Sequence, residues 1–308
     1  MRIKDLTEFE RVSYLLGNFP HKKSSLVGLH SQEHKTTLIL QILDSIRRIK
    51  YLQLKSARAI SASLHTPFSG SFEPLSGSVV LQKHGHLDDA YWLVYLATHF
   101  GKHKVDGWNL TEDFYGRFGE GGVWDWATAS CRPEAVAEWI EMIYPSVTNA
   151  GRSRRFGNHR KFETLKPGPR GTGSAIETYI RWIKQYGSHG ALLSEAQKSV
   201  GQNPKEVFAF LYKELANVAK LGRLGKFDLL CNLSNLQIAP IYANSAYIAQ
   251  STGPKAGARL LFGNSINSKT LEASCSELAA HLNVSPQVIE DALCNWQKSP
   301  DKYIHFRG

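Results

Sequence analysis

Apolar residues recur at helical spacing along most of the chain, and few segments alternate with the period of two that marks a half-buried strand. In EHKTTLILQILDSIRRIKYLQ the spacing predicts an amphipathic helix from about Thr37 to Leu52. The stretch SASLHTPFSGSFEPLSGS, rich in Ser, Gly and Pro, predicts a loop after it. LDDAYWLVYLATHFG is apolar almost all round, which predicts a central buried helix. RPEAVAEWIEMIY is amphipathic. GSAIETYIRWIKQY has Ser174 and Glu177 at capping-box spacing, with Arg181 placed to pair with Glu177. NPKEVFAFLYKELANVAKLG opens with an Asn cap and Pro at the first helical position, and is expected to end before Gly222. KFDLLCNLSNL, PKAGARLLFG, SKTLEASCSELAAHL and SPQVIEDALCNWQKS predict short helices joined by tight turns. The pattern predicts an all-α fold, divided into an N-terminal helical arm with its loop (residues 1–80) and a helical domain (residues 81–308).

Charge narrows the class of partner. The 308 residues carry a formal net charge of +10, which attracts nucleic acid or anionic membrane surfaces. No stretch approaches the roughly 20 apolar residues of a membrane helix. The N-terminus mixes charges into its apolar residues and lacks a signal-peptide core. Cys131, Cys231, Cys275 and Cys294 have no zinc spacing, which predicts a cytoplasmic protein with reduced thiols and no structural metal. GxSxG, Walker A, HExxH and dinucleotide fingerprints are missing, which argues against α/β hydrolases, ATPases, zinc proteases and nicotinamide enzymes, and no cofactor is expected.

The positive charge is densest in RSRRFGNHRKFETLKPGPRGTGSAIE, where Arg152, Arg154, Arg155, Arg160 and Lys161 fall among turn residues. Arginine forks match phosphate oxygens, so this bend is either a polyanion-binding surface or a solvated charge run. Phe156 could stack on a base or anchor the loop. Beyond Arg170, Gly171 and Gly173 precede a helix whose N-terminal N–H groups could meet a phosphate. STGPKAGARLLFG offers a second such place, with Gly253 at the turn and Lys255 and Arg259 on one helix face. From Ser276 to Trp296 the spacing is that of a helix-turn-helix, but Glu290 and Asp291 on its second helix favour a packing hairpin over a groove reader.

Few acids stand near these elements. Asp88 and Asp89 open the apolar central helix, as caps or, for Asp88, as a general base raised by desolvation. At 100° per residue Asp88, Trp92, Tyr95 and His99 share one stripe, a candidate pocket wall. Asp228 is a lone acid among Phe227, Leu229 and Leu230, either paired with a nearby base or functional. Asn158 and His159 could orient a water or simply serve the turn. His84, His86 and Asp88, or His99 and His103, lack a further ligand that would complete a metal site, so no metal is expected.

HLDDAYWLVYLATHFGKH, FGNHRKFETL, GTGSAIETYIRWI, GKFDLLCNL, TGPKAGARLLFG and EDALCNWQKSP occur in order, and together they resemble the alpha-glutamyl/putrescinyl thymine pyrophosphorylase family between about Gly85 and Pro300. The resemblance implies a helical domain related to helix-hairpin-helix DNA glycosylases that binds double-stranded DNA and acts on a modified base. Asp88, Asn158, His159, Arg160, Lys161, Gly171, Gly173, Asp228, Gly253 and Arg259 match its motifs. No Asp follows either glycine turn at the spacing familiar from those glycosylases, so the catalytic acid is expected elsewhere, at Asp88 or Asp228, with Asn158 or His159 orienting water. Arg152, Arg154, Arg155, Arg160, Lys161, Arg170, Gly171, Gly173, Gly253, Lys255 and Arg259 are then expected to hold phosphates, and Trp92, Tyr95 and Phe156 to stack on a flipped base. The expected reaction is excision of a bulky modified pyrimidine, such as glucosylated hydroxymethylcytosine or hypermodified thymine, from phage DNA in antiphage defence. The alternatives are a base-hypermodifying transferase or pyrophosphorylase, and a non-catalytic DNA-binding regulator.

Overall fold

The computed structural model describes residues 5–20, 25–57, 61–147 and 151–306. These residues form fourteen α-helices and no strand, so the fold is all-α. In chain order the helices are α1 (Leu6–Gly17), α2 (Gln32–Ala57), α3 (Pro74–Lys83), α4 (Leu87–Phe100), α5 (Asn109–Tyr115), α6 (Trp126–Cys131) and α7 (Ala135–Val147). There follow α8 (Thr172–Lys184), α9 (His189–Val200), α10 (Pro204–Glu214), α11 (Arg223–Asn235), α12 (Gly253–Phe262), α13 (Ser268–His281) and α14 (Pro286–Trp296). Among the described residues no helix is long and apolar enough to cross a membrane.

Local chemistry sets many of the starts. The Asn203 side chain accepts from the Lys205 N–H at 3.0 Å and Pro204 opens α10, as the sequence predicts. That helix stops at Glu214, however, and a 3₁₀ turn and Lys220 at φ +62° carry the chain on to α11. The capping box at Ser174 does not form: α8 begins earlier, with Gly171 as N-cap, which leaves Ser174 inside the first turn. Glu177 still pairs with Arg181 at 2.9 Å. The end of the stretch expected as a loop after α2 instead begins α3, because Leu75 there and Val79, Val80 and Leu81 just beyond it are buried and the Glu73 side chain caps Ser76 N–H at 2.7 Å.

The chain divides into two compact units, Met1–Tyr51 with Ala243–Arg307, and Leu52–Tyr242. This division differs from an arm at 1–80 ahead of a domain at 81–308. In the first unit Leu38, Ile39, Ile42 and Leu43 of α2 share a core with Leu261, Leu278, Leu293 and Trp296. Apolar periodicity tells that α2 needs a partner face; it does not tell that the partner is the far end of the chain. A side chain at Gly257 would overlap the Leu293 carbonyl, so α12 and α14 meet backbone to backbone. The α13–α14 hairpin turns at Asn283 and buries Leu278, Ala279, Val288, Ile289 and Ala292, as a packing hairpin does.

The second unit is built around α4, in which every residue from Ala90 to Phe100 is buried. Its aromatic stripe forms a stack rather than a pocket wall. Tyr95 lies 3.7 Å from the ring of Tyr179 at an interplanar angle of 11°, and Trp92 lies 5.6 Å from Tyr95. Trp92 Nε1–H donates to the Trp124 carbonyl at 2.6 Å and Tyr95 O–H to the Ala175 carbonyl at 3.0 Å, which satisfies both polar tips inside the core.

Candidate active site

The basic bend is fastened inward. Asp106 and Asp113 are buried, and buried carboxylates require charged partners. Arg152 Nη2 reaches Asp113 at 2.6 Å and Glu112 at 2.7 Å, and Arg154 Nε also donates to Asp113. Arg155 forks onto Asp106, at 2.9 Å from Nε and 2.7 Å from Nη2, and the Ser153 hydroxyl donates to the same carboxylate at 2.8 Å. Arg155 holds the Asp106 carboxyl well below the usual carboxylate range. Three arginines expected to grip phosphate are therefore committed to internal acids that lie some forty residues earlier in the chain. Lys161 and Arg170 are exposed, as are the outer faces of Arg152 and Arg155.

Beyond the bend the chain makes a close crossing with the end of α4. Gly157 N–H donates to the Phe100 carbonyl at 2.8 Å, and a Cβ at Gly157 would stand 2.8 Å from the carbonyl carbon of Gly101. Only glycine fits such an approach. The crossing seats a 3₁₀ turn, Asn158–Arg160, against α4 and α11. Arg160, expected on the surface, is buried: Nε donates to the Thr98 carbonyl at 2.7 Å and Nη2 to Asp228 Oδ2 at 2.7 Å. Asp228 thus has the arginine partner its apolar helix called for, and its side chain remains 30% exposed. Asn158 and His159 are exposed on the same turn.

Two further polar pairs complete this cluster. His99 Nε2 meets the Thr172 hydroxyl at 3.1 Å, and that hydroxyl donates to the Thr164 carbonyl at 3.0 Å. Burial pushes the imidazole of His99 down to about 3, helped by the cations of Arg160 and Lys220, so the ring is neutral. Glu163 Oε2 lies 3.6 Å from Lys220 Nζ. Burial raises the Glu163 carboxyl above its ordinary value despite the opposing pull of Lys220 and Arg160. Sequence reading passed over Glu163 and Lys220; their signal was the place of Glu163 in FGNHRKFETL, three residues after Arg160.

Asp88 belongs elsewhere. It sits at the other end of α4, about 15 Å from Thr98 at 1.5 Å per residue, so Asp88 and Asp228 do not share a site. Its Oδ1 accepts from the His189 ring at 2.6 Å and from the His189 backbone N–H at 2.8 Å. Burial raises the Asp88 carboxyl, but these His189 contacts outweigh it and hold the group below the usual range, the opposite of what a general base needs. His189 Nε2 in turn accepts from the buried Tyr179 hydroxyl at 2.9 Å. Asp89 caps Trp126 N–H at 2.8 Å. His84 bonds the Val80 carbonyl of its own helix, and among the described residues no three His, Cys, Asp or Glu side chains converge as metal ligands.

The remaining candidates divide by location. Trp92 and Tyr95 are fully buried and have no ring face open to a base. Phe156 is half-buried, 5.7 Å from the ring of Phe100 and 6.2 Å from His99, and so anchors its loop. Gly173 lets α8 approach α7, since a Cβ there would lie 3.0 Å from that of Ala137. A cleft of about 310 Å³ opens beside it, lined by Ile140, Glu141, the Pro167–Pro169 turn and Ser174. Gly253, Lys255 and Arg259 are on α12 in the other unit, where Gly253 and Pro254 form the first helical turn and Lys255 Nζ donates to the Ala249 carbonyl at 3.1 Å. Arg259 is exposed in the last turn.

The Asn158–Glu163 turn, the end of α4, the start of α8 and the start of α11 thus converge on one polar cluster, although they are scattered in sequence. No curated protein and no solved structure matches this chain. A family profile does match, over residues 33–308, and so takes in α2 and α3 ahead of the motifs that begin near Gly85. The chain belongs to the alpha-glutamyl/putrescinyl thymine pyrophosphorylase family, clade 3.

Proposed function

We propose that this chain is a DNA glycosylase that extrudes a bulky modified pyrimidine from DNA and hydrolyses its N-glycosidic bond. The observation that carries the reading is Asp228, a part-exposed carboxylate fixed by the buried Arg160 where four motif segments meet. Rupture of the bond between the base and C1′ builds positive charge on the sugar. A carboxylate aimed at that carbon stabilises the charge and takes a proton from the attacking water. Arg160 sets the direction of that carboxylate, and Asn158 and His159, exposed on the same turn, orient the water. Lys161, Arg170 and the outer faces of Arg152 and Arg155 meet backbone phosphates, with affinity that falls as salt rises. On this reading the modified DNA is that of a phage, as the family resemblance implies, and excision serves antiphage defence.

A second reading follows from the printed family name: transfer of a group onto a base that carries a pyrophosphate, with the base left on its sugar. The two readings predict different products. Purified protein incubated with DNA of defined modification should release free base, detected by mass spectrometry, and leave alkali-labile sites, while unmodified DNA stays intact. Asp228→Asn should slow release by about 10²–10⁴-fold. A mass gain on intact DNA in the presence of an amine donor would establish transfer instead. Intact modified DNA under alkali, with Asp228→Asn indistinguishable from the parent, removes the glycosylase reading.

A further inference from the structure

Glu163 is placed differently from every other acid near the bend. Asp106, Asp113 and Asp228 each accept a short charge-assisted hydrogen bond from an arginine. Glu163 Oε2 is shut off from solvent and has no hydrogen-bond partner among the described residues. The nearest cation, Lys220 Nζ, stands 3.6 Å away, a longer and weaker pairing than the arginines make with the other acids. Lys220 is held by a backbone in the left-handed region, at φ +62°, which is unfavourable for a lysine and persists only where the surroundings impose it. The backbone of Glu163 is fixed by its N–H to the Arg160 carbonyl at 2.9 Å, so the residue turns with the arginine that orients Asp228.

We propose that Glu163 is the proton donor of this site, giving its proton to the departing pyrimidine while Asp228 accepts one from water. The inference rests on the glycosylase reading and supplies its second carboxyl. The step balances. Water oxygen bonds to C1′, the C1′–N1 bond breaks with its electron pair on the base, Asp228 takes one water proton, and the Glu163 proton neutralises the base. Asp228 then loses its proton to solvent, and Glu163, whose side chain is 13% exposed although its Oε2 is closed off, regains one from it. Two carboxyls serve opposite roles when their surroundings differ, one ion-paired and one desolvated.

The other groups around Glu163 do not compete for the role. Lys220 and Arg160 are the cations facing it, and Arg160 is committed to Asp228 and to the Thr98 carbonyl. Tyr95, whose phenol feels the Glu163 charge, is buried and donates to the Ala175 carbonyl. His99 is neutral and bonded to Thr172. The two cations lower the Glu163 carboxyl, burial raises it, and burial prevails.

The test is single-turnover base release across a pH series with the full-length chain and modified DNA. The parent should lose rate as pH rises through the titration of Glu163. Glu163→Gln should fall by about 10²–10⁴-fold and lose that alkaline decline. Lys220→Met, which removes an opposing cation, should move the decline to higher pH, and this variant keeps the test open should Glu163→Gln fail to fold. Infrared difference spectra of the free protein, parent minus Glu163→Gln, should show a protonated carboxyl at the pH where the enzyme works. Release by the parent with an unchanged rate and pH profile in Glu163→Gln overturns the assignment of Glu163 alone, as does a missing carboxylic-acid band. No release by the parent overturns the underlying glycosylase reading.

Discussion

Arg160 and Asp228 form the contact on which the candidate site depends, and their coupling can be measured by a double-mutant cycle. Arg160 makes two 2.7 Å hydrogen bonds, to Thr98 and to Asp228, with its own side chain 10% exposed and that of Asp228 30% exposed. A hydrogen bond between charged groups contributes about 1.5–3 kcal/mol, and the partial exposure of Asp228 places this pair near ~1.5 kcal/mol. Arg160→Met loses that bond and also strands the Thr98 carbonyl, so its cost should be about 3–5 kcal/mol. Asp228→Asn keeps the shape and should cost about 1.5 kcal/mol. The Thr98 penalty occurs with or without Asp228 and therefore cancels in the cycle. The residual coupling, from urea unfolding curves at constant m-value, should be about 1.5 kcal/mol. A coupling below about 0.5 kcal/mol would mean that Arg160 does not hold Asp228, and the case for an oriented acid would be lost.

Other outcomes follow from the same geometry. Lys161→Ala and Arg170→Ala should each reduce the slope of log affinity for DNA against log salt by about one without loss of stability. Arg154→Ala, by contrast, should cost about 3 kcal/mol in urea unfolding, because buried Asp113 loses a partner. Gly157→Ala should lower thermal stability by about 1–3 kcal/mol, since the new methyl would press on the Gly101 backbone at 2.8 Å; an unchanged melting temperature would contradict the close crossing. Folded His99 takes up a proton only near pH 3 whereas the unfolded chain does so near 6.5, so its contribution is complete above about pH 6.5 and is lost as pH falls towards 3. The loss should approach roughly 1.4 kcal/mol per pH unit, and His99→Gln, which keeps a donor for Thr172, should flatten it.

The helices were largely legible because their signals are local. The all-round apolar pattern of α4, the Asn203–Pro204 start and the Glu177–Arg181 pair depend on spacing within one turn or two. The site was legible only in part. Arg160 and Asp228 were each visible as candidates, but that they meet is a fact of long-range packing, sixty-eight residues apart. The arginines of the bend read as a surface because their partners Asp106, Glu112 and Asp113 lie on and just before another helix. The stripe of Asp88, Trp92, Tyr95 and His99 was the right periodicity with the wrong meaning: helical phase shows which residues share a face, and α8 with its Tyr179 closes that face into core. Glu163 lay within FGNHRKFETL, but its role did not show there, since desolvation is a property of what surrounds a residue.

α4 acts as a spacer between two polar clusters, with Asp88 and His189 at its start and Arg160 and Asp228 near its end. Groups farther apart than about 7–10 Å, with no partner in common, change stability additively. The helix therefore insulates one cluster from the other. Substitutions around His189 can tune the resistance of the fold to heat while the acid at Asp228 keeps its aim, and selection can adjust durability and chemistry on separate dials.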